Sequence, residues 1–275
     1  MAFSHLIEAG IILFISGFFI GFLSGLLGKG GGLLLIPTFW FVFPFIGIPE
    51  KIVPKAAVAT SLACMTVTSS TSAWQHIKKG YLRKDIFINL LIGAIPGVFL
   101  GSAITAKLLS AEMTKLIFAV FLIFMSIKML RKSESVEKKI INKKKILITG
   151  FASGFIAGLL GIGGGSLITP MLFSFADVPI KVAMATSTGI VFFNSFFSVL
   201  NYVYYGFHKV SLPYFLGYVY LPVLIFMVPS LYIGTRIGVR LMHRINPEKL
   251  RKWFAVFLIF VALEVILKLV AGFLK

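Results

Sequence analysis

Long apolar runs broken by short polar stretches dominate this chain. The runs fall at about 6–27, 33–46, 54–77, 85–108 and 112–130, and again at about 146–160, 166–177, 181–205, 212–236 and 250–270. An apolar run of about 20 residues with few charges reads as a membrane-spanning helix. The second run of each group has only 12–14 residues. As a helix it would reach about 20 Å, short of a hydrocarbon core of about 30 Å. The pattern predicts an all-α polytopic membrane protein with ten helical segments. The two short ones are either broken spans or re-entrant hairpins.

The two groups of five repeat each other. Gly17-Phe-Phe-Ile-Gly21-Phe-Leu-Ser-Gly25-Leu-Leu-Gly28-Lys29-Gly30-Gly31-Gly32 returns 133 residues later as Gly150-Phe-Ala-Ser-Gly154-Phe-Ile-Ala-Gly158-Leu-Leu-Gly161-Ile162-Gly163-Gly164-Gly165. Pro37 matches Pro170, and Lys55-Ala-Ala-Val-Ala-Thr60-Ser61 matches Lys181-Val-Ala-Met-Ala-Thr186-Ser187. Pro96 and Gly101 match Pro229 and Gly234, and Ala119–Phe124 is identical to Ala255–Phe260. Four matched elements in one order indicate a duplication. The chain divides into a first transmembrane repeat (1–130), a basic linker (131–145) and a second repeat (146–275).

Charge adds the orientation. The net charge of +18 comes from 27 basic against 9 acidic residues. In a soluble protein that balance would suggest nucleic acid. Here no basic–aromatic pattern supports such a partner, and the bases sit in the loops of a chain with mean hydropathy +0.98. Counting the short segments as crossings makes the halves inverted and puts 20 of 27 basic residues on the linker side; counting them as re-entrant makes the halves parallel, with a split of 15 to 12. The positive-inside rule favours the inverted arrangement. It places linker 131–145 in the cytoplasm and the N-terminus outside, in a multi-pass inner-membrane protein. The start of the chain, with His5 and Glu8, does not read as a signal peptide. The single cysteine, Cys64, allows no intrachain disulfide.

The glycine runs are the candidate chemistry. Spacing by four, as in Gly17, Gly21 and Gly25, clears a helix face for close packing. Three consecutive glycines do something else: they end one helix and let the chain turn tightly into the next. The next helix then starts with unsatisfied N–H groups carrying partial positive charge. Broken helices of this kind, paired in two repeats, point to a transporter site, and their N-termini favour an anion. The alternative is a tight turn that binds nothing. A P-loop is excluded by Leu23 and Gly30 at its key positions, and a dinucleotide fingerprint by Leu33.

The doubled Gly-x-Gly-Gly-Gly-then-Pro pattern, with Ala-Thr-Ser after a basic residue in each half, resembles the sulfite exporter TauE/SafE family of membrane proteins. The resemblance covers nearly the whole chain. It implies a transporter of sulfite, an organosulfonate or another small sulfur-containing or organic anion. Lys29 stands where the second copy has Ile162, so the two motifs are unequal.

Candidate substrate-binding residues are therefore Gly30, Gly31, Gly32, Gly163, Gly164 and Gly165. To these we add the hydroxyls of Thr60, Ser61, Thr186 and Ser187, together with Asn194 and Gln75, all polar groups at membrane depth. Ser and Thr also bond back to their own helices, so a purely structural role stays open for the hydroxyls. His76 is a candidate for ion coupling, or an interfacial residue beside the basic loop. Seven of the nine acids lie in or beside loops, Glu8 lies near an end and Glu264 has Lys268 at i+4, so no proton-relay carboxylate stands out. No cofactor or metal motif is present in the sequence and no constellation for a membrane enzyme. The expected partners are a small anion and the lipid bilayer, with transport by alternating access; an anion channel of the same architecture is the second reading.

Overall fold

The structure, a computed structural model, describes residues 3–27, 32–78, 82–130, 142–176, 178, 180–242 and 247–273. These contain α1 (Phe3–Leu27), α2 (Gly32–Phe45), α3 (Val53–Lys78), α4 (Lys84–Ala103), α5 (Ala111–Leu130), α6 (Lys143–Leu160), α7 (Gly165–Ser174), α8 (Ile180–Gly206), α9 (Leu221–Met242) and α10 (Pro247–Phe273). A π-helical turn, Ile104–Leu108, extends α4. Most of linker 131–145 lies outside the described residues.

One expected segment begins differently. The run expected from 212 opens as an antiparallel hairpin, β1 (Phe215–Leu216) and β2 (Val219–Tyr220), and α9 starts only at Leu221. Gly217 sits at φ 59° in the two-residue turn, the position where a side chain would be strained. Its lack of a side chain also lets the turn press on the end of α8, where a Cβ on Gly206 would lie 2.6 Å from the Gly217 carbonyl carbon.

The distribution of polarity is that of a membrane protein. Ile225, Phe260, Leu267 and Trp253 project outward, while the buried polar side chains among the described residues are Ser, Thr and Asn. Three helical stretches, Lys84–Leu108, Val182–Gly206 and Leu221–Gly238, are long and apolar enough to cross a bilayer. Shorter apolar helices cover Gly10–Ser24, Gly32–Phe45 and Ala255–Leu267.

Backbone-to-backbone contact at glycines sets the helix arrangement. A Cβ on Gly21 would fall on the Leu231 carbonyl oxygen and one on Gly234 on that of Phe18, so α1 and α9 touch without intervening side chains. On the other side of the molecule Gly150, Gly154 and Gly158 meet the carbonyls of Leu90, Ala94 and Val98. Residue numbers rise together in both contacts, so α1 runs parallel to α9 and α6 parallel to α4. Helix α7 runs antiparallel to α8, with Gly165 against Val191 and Thr169 against Ser187. In lipid, such close approach lets dispersion do the work that the hydrophobic effect does in water.

A methyl group at these contacts should be poorly tolerated. Gly154→Ala drives a carbon onto the Ala94 carbonyl, and overpacking of a tight contact costs about 1–3 kcal/mol. Gly189→Ala is the control, because its Cβ meets only the Phe87 ring edge, at 2.9 Å, and Leu82. Thermal unfolding in detergent should show a large loss for Gly154→Ala and a small one for Gly189→Ala. Equal melting temperatures would contradict the packing described.

Candidate functional site: the glycine break between α6 and α7

A helix that ends inside a membrane leaves its last carbonyls without partners, and lipid cannot supply them. At the end of α6 neighbouring helices do so. Gly161 turns into the left-handed region, φ 75°, and its N–H donates to Ala157 O at 2.9 Å. Tyr202 OH donates to Gly158 O at 2.9 Å, and Thr105 Oγ1 donates to Leu159 O at 2.8 Å. Ser61 Oγ lies 2.8 Å from the carbonyls of both Gly161 and Val58, so its one proton is shared between the break and its own helix. Asn194 Nδ2 donates to Gly163 O at 3.4 Å. The donors come from α3, the π-helical turn and α8.

The chain continues through Gly163 and Gly164, at φ 65° and 78°, into α7. Space here is limited. A Cβ on Gly163 would lie 2.6 Å from Met65 Cε and 3.0 Å from Ser195 Oγ; one on Gly164 would lie 2.8 Å from Ser153 O and 3.1 Å from Asn194 Nδ2. The first repeat reaches the same place. A Cβ on Gly32, at the start of α2, would lie 2.9 Å from Ile162 O and 2.7 Å from Met65 Sδ. Met65 therefore stands between the starts of α2 and α7.

The two sides of the break differ in satisfaction. The carbonyls of Ala157, Gly158, Leu159, Gly161 and Gly163 are capped, whereas the first turn of α7 presents helix-start N–H groups. Beside it Ser166 Oγ, Asn194 Oδ1 and Ser195 Oγ, and farther along α8 Thr186 Oγ1 and Ser198 Oγ, are buried without a hydrogen-bond partner among the described residues. Asn194 and Ser198 are four residues apart on α8 and share one face, whereas Thr186 lies about 12 Å of helical rise before Asn194. Burying a polar group without a partner costs free energy, so buried polar groups are normally bonded. Several together mark a place where something polar is to be received.

The expected residues divide accordingly. Gly32, Gly163, Gly164, Gly165 and Asn194 come together at the break, and Ser61 caps it. Thr186 lies along α8 without a partner. Ser187 is engaged with Thr169, 2.8 Å away, and with Met184 O at 2.9 Å. Thr60 faces the hairpin, where its Oγ1 accepts the Tyr220 N–H at 3.1 Å. Gly30 and Gly31 lie outside the described residues; Gln75 and His76 are on α3, and their side chains are likewise not described. Sequence reasoning missed Ser166, Ser198, Thr105 and Tyr202. The four-residue step from Asn194 to Ser198 was the available signal for one of them. Ser195 stands beside Asn194 on α8. Its opposite number in the first repeat, Ser69, bonds back to Met65 O at 2.5 Å, so the two repeats are not equivalent here. Among the described residues no three His, Cys, Asp or Glu side chains group to hold a metal.

The break can be tested without knowing a ligand. Tyr202→Phe should lower stability by about 1–3 kcal/mol, because it leaves Gly158 O buried and unpaired. Gly164→Ala should destabilise by both its φ of 78° and its contact with Ser153 O, whereas Gly165→Ala, which meets only a Val191 methyl, should be mild. Chemical or thermal unfolding of the three variants checks this order. A Tyr202→Phe protein as stable as the parent would remove the capping account.

Comparison with known proteins finds relatives of the chain among membrane transporters. The family model for Sulfite exporter TauE/SafE matches residues 13–265. A probable membrane transporter protein of Methanocaldococcus jannaschii is 30% identical over 243 residues, 87% of this chain and 89% of that one. A probable membrane transporter protein of Haemophilus influenzae is 29% identical over 266 residues, 94% of this chain and 98% of its own. An Arabidopsis thaliana protein named Sulfite exporter TauE/SafE family protein 6 is 29% identical over 112 residues, 41% of this chain and 23% of its own. No solved structure matches.

Proposed function

The chain belongs to the sulfite exporter TauE/SafE family of membrane transporters, and from that premise we propose that it carries a small anion across the membrane by alternating access, binding it at the glycine break. Sulfite, a sulfonate or a related sulfur-containing or organic anion is the cargo this reading favours. The observation that carries it is the pairing of a free helix start, at Gly165 and Ser166, with the buried Ser166 and Ser195 hydroxyls, which have no partner among the described residues, Ser195 Oγ lying 3.0 Å from where a Gly163 Cβ would be. A sulfonate or a fully deprotonated sulfite accepts hydrogen bonds and gives none. Hydroxyls and N–H groups can turn toward it, and each bond to a charged ligand is worth about 1.5–3 kcal/mol. The capped α6 carbonyls keep their negative ends away from the anion, so the α7 dipole acts with less opposition. Gly32 of the first repeat supplies the opposite wall, and Gly30, Gly31, Gln75 and His76 remain candidates for binding and coupling.

The sense of the helices supports inverted repeats. Helix α4 ends, and α9 begins, beside the outer end of α8, where Asn201 Nδ2 donates to Ser102 Oγ at 2.7 Å and Gly217 meets Gly206. Helices α4 and α9 thus run oppositely, and so do their parallel partners α6 and α1. Matching elements of the two halves then face opposite sides of the membrane, as the basic loops suggest. In this reading the protein is a multi-pass inner-membrane transporter with linker 131–145 in the cytoplasm and the hairpin outside.

Two experiments test the proposal. Methanesulfonate should raise the melting temperature of the purified protein more than its neutral isostere dimethyl sulfone, and Asn194→Ala or Ser195→Ala should reduce that rise. Equal or stronger stabilisation by dimethyl sulfone would rule the anion reading out. Cysteines placed singly at 111 and 246 should differ in labelling from outside intact cells, with 111 reactive and 246 protected. Equal reactivity would sink the inverted arrangement.

A further inference from the structure

The outer end of the molecule carries a cluster of cations that the buried site does not use. Lys55, near the start of α3, is half-buried, and its Nζ donates to Ala106 O at 3.1 Å on the π-helical turn. The same Nζ lies 6.0 Å from the centre of the Tyr218 ring in the hairpin. Next along the π-helical turn, Lys107 places its Nζ 4.7 Å from the centre of the Tyr205 ring on α8. Lys209, just beyond α8, is close enough for its charge to act on Lys55. No carboxylate pairs with these three among the described residues, where the ion pair seen is Arg83 with Asp85.

Like charges repel, and a half-buried ammonium is costly unless something compensates it. The compensation in place is one carbonyl and the faces of two aromatic rings. The sequence puts most of its basic residues on the other side of the membrane, so a convergence of three lysines here is not what loop charge alone would produce.

The cluster also has a place relative to the glycine break. Lys55 and Ser61 are on one helix, six residues and about 9 Å of helical rise apart, and Ser61 caps Gly161 O. Between them Thr60 accepts the N–H of Tyr220, whose neighbour Tyr218 lies over Lys55 and beside Tyr202, ring centres 6.4 Å apart. Tyr202 in turn caps Gly158 O. The hairpin thus roofs the break, and the lysines stand around the roof.

We propose that Lys55, Lys107 and Lys209 form an outer anion subsite, where the cargo is held beside the hairpin on its way to or from the glycine break. This rests on the anion reading above and extends it. Lys107 and Lys209 are exposed and collect anions by long-range attraction, an effect that falls as salt screens it. Lys55 exchanges its bond to Ala106 O for the anion and hands it inward past Thr60.

The test uses sulfite as the probe on the full-length protein in nanodiscs, measuring apparent affinity and association rate at low and high salt. Lys55→Met should weaken sulfite about tenfold, and Lys55→Arg should restore it to within about twofold. The exposed pair Lys107→Met with Lys209→Met should leave the melting temperature unchanged while flattening the salt dependence of association. Asn194→Ala reports on the inner site in the same assay. If Asn194→Ala weakens sulfite while the lysine variants bind it with parental affinity and salt dependence, the outer subsite is wrong and the glycine-break site stands. If the parent protein shows no sulfite binding, both fall.

Discussion

Everything distinctive in this fold follows from ending a helix where there is no water. The carbonyls at the end of α6 and in the turn after it must find donors inside the protein: Gly158 and Leu159 find Tyr202 and Thr105, and Gly161 and Gly163 find Ser61 and Asn194. Those four side chains are drawn from two long helices and one π-helical turn. Each must be held at its own height in the bilayer. The arrangement of α3, α4 and α8 around the break is thereby constrained to within the length of a hydrogen bond.

Close packing supplies the precision. The α6–α4 and α1–α9 contacts are backbone against backbone at Gly97, Gly154, Gly21 and Gly234, which removes the side-chain layer that would otherwise let helices slide. Thr105 can reach Leu159 O only because α6 lies that close to α4. With most carbonyls of the break satisfied, what is left over is mainly donors, the helix-start N–H groups and hydroxyls, beside one amide oxygen, Asn194 Oδ1. The same constraint therefore underlies both the stability of the turn and the proposed binding of an anion there. It explains too why polar side chains line the interior while Phe260, Leu267 and Trp253 face outward.

Much of this was legible in the sequence, for physical reasons that differ by element. Apolar runs report helices because lipid imposes their length, and nine of the ten expected segments begin and end within a few residues of a helix. The glycine runs reported a break because only glycine tolerates φ of 65–78° in succession. Asn194 stood out as an amide at membrane depth. The hairpin did not, since two strands of two residues are too short for any period to register and merge into the apolar run of α9. Nor could the division of labour among hydroxyls be read. Thr60 and Thr186 are matched in sequence, yet one binds the hairpin backbone and the other has no partner among the described residues; the unmatched residues 215–220 supply the partner of the first. Tyr202 looks like one more aromatic until Gly158 is seen beside its hydroxyl.

The central claim is that an anion sits at the start of α7 among Ser166, Asn194, Ser195 and Ser198. The most direct measurement is a cryo-electron microscopy or crystallographic map of the protein with selenite, a heavier analogue of sulfite, compared with a map recorded without it. The account predicts added density within hydrogen-bonding distance of the Gly165 and Ser166 N–H groups and the α8 hydroxyls. Bound selenite found elsewhere, with the glycine break unchanged, would contradict it.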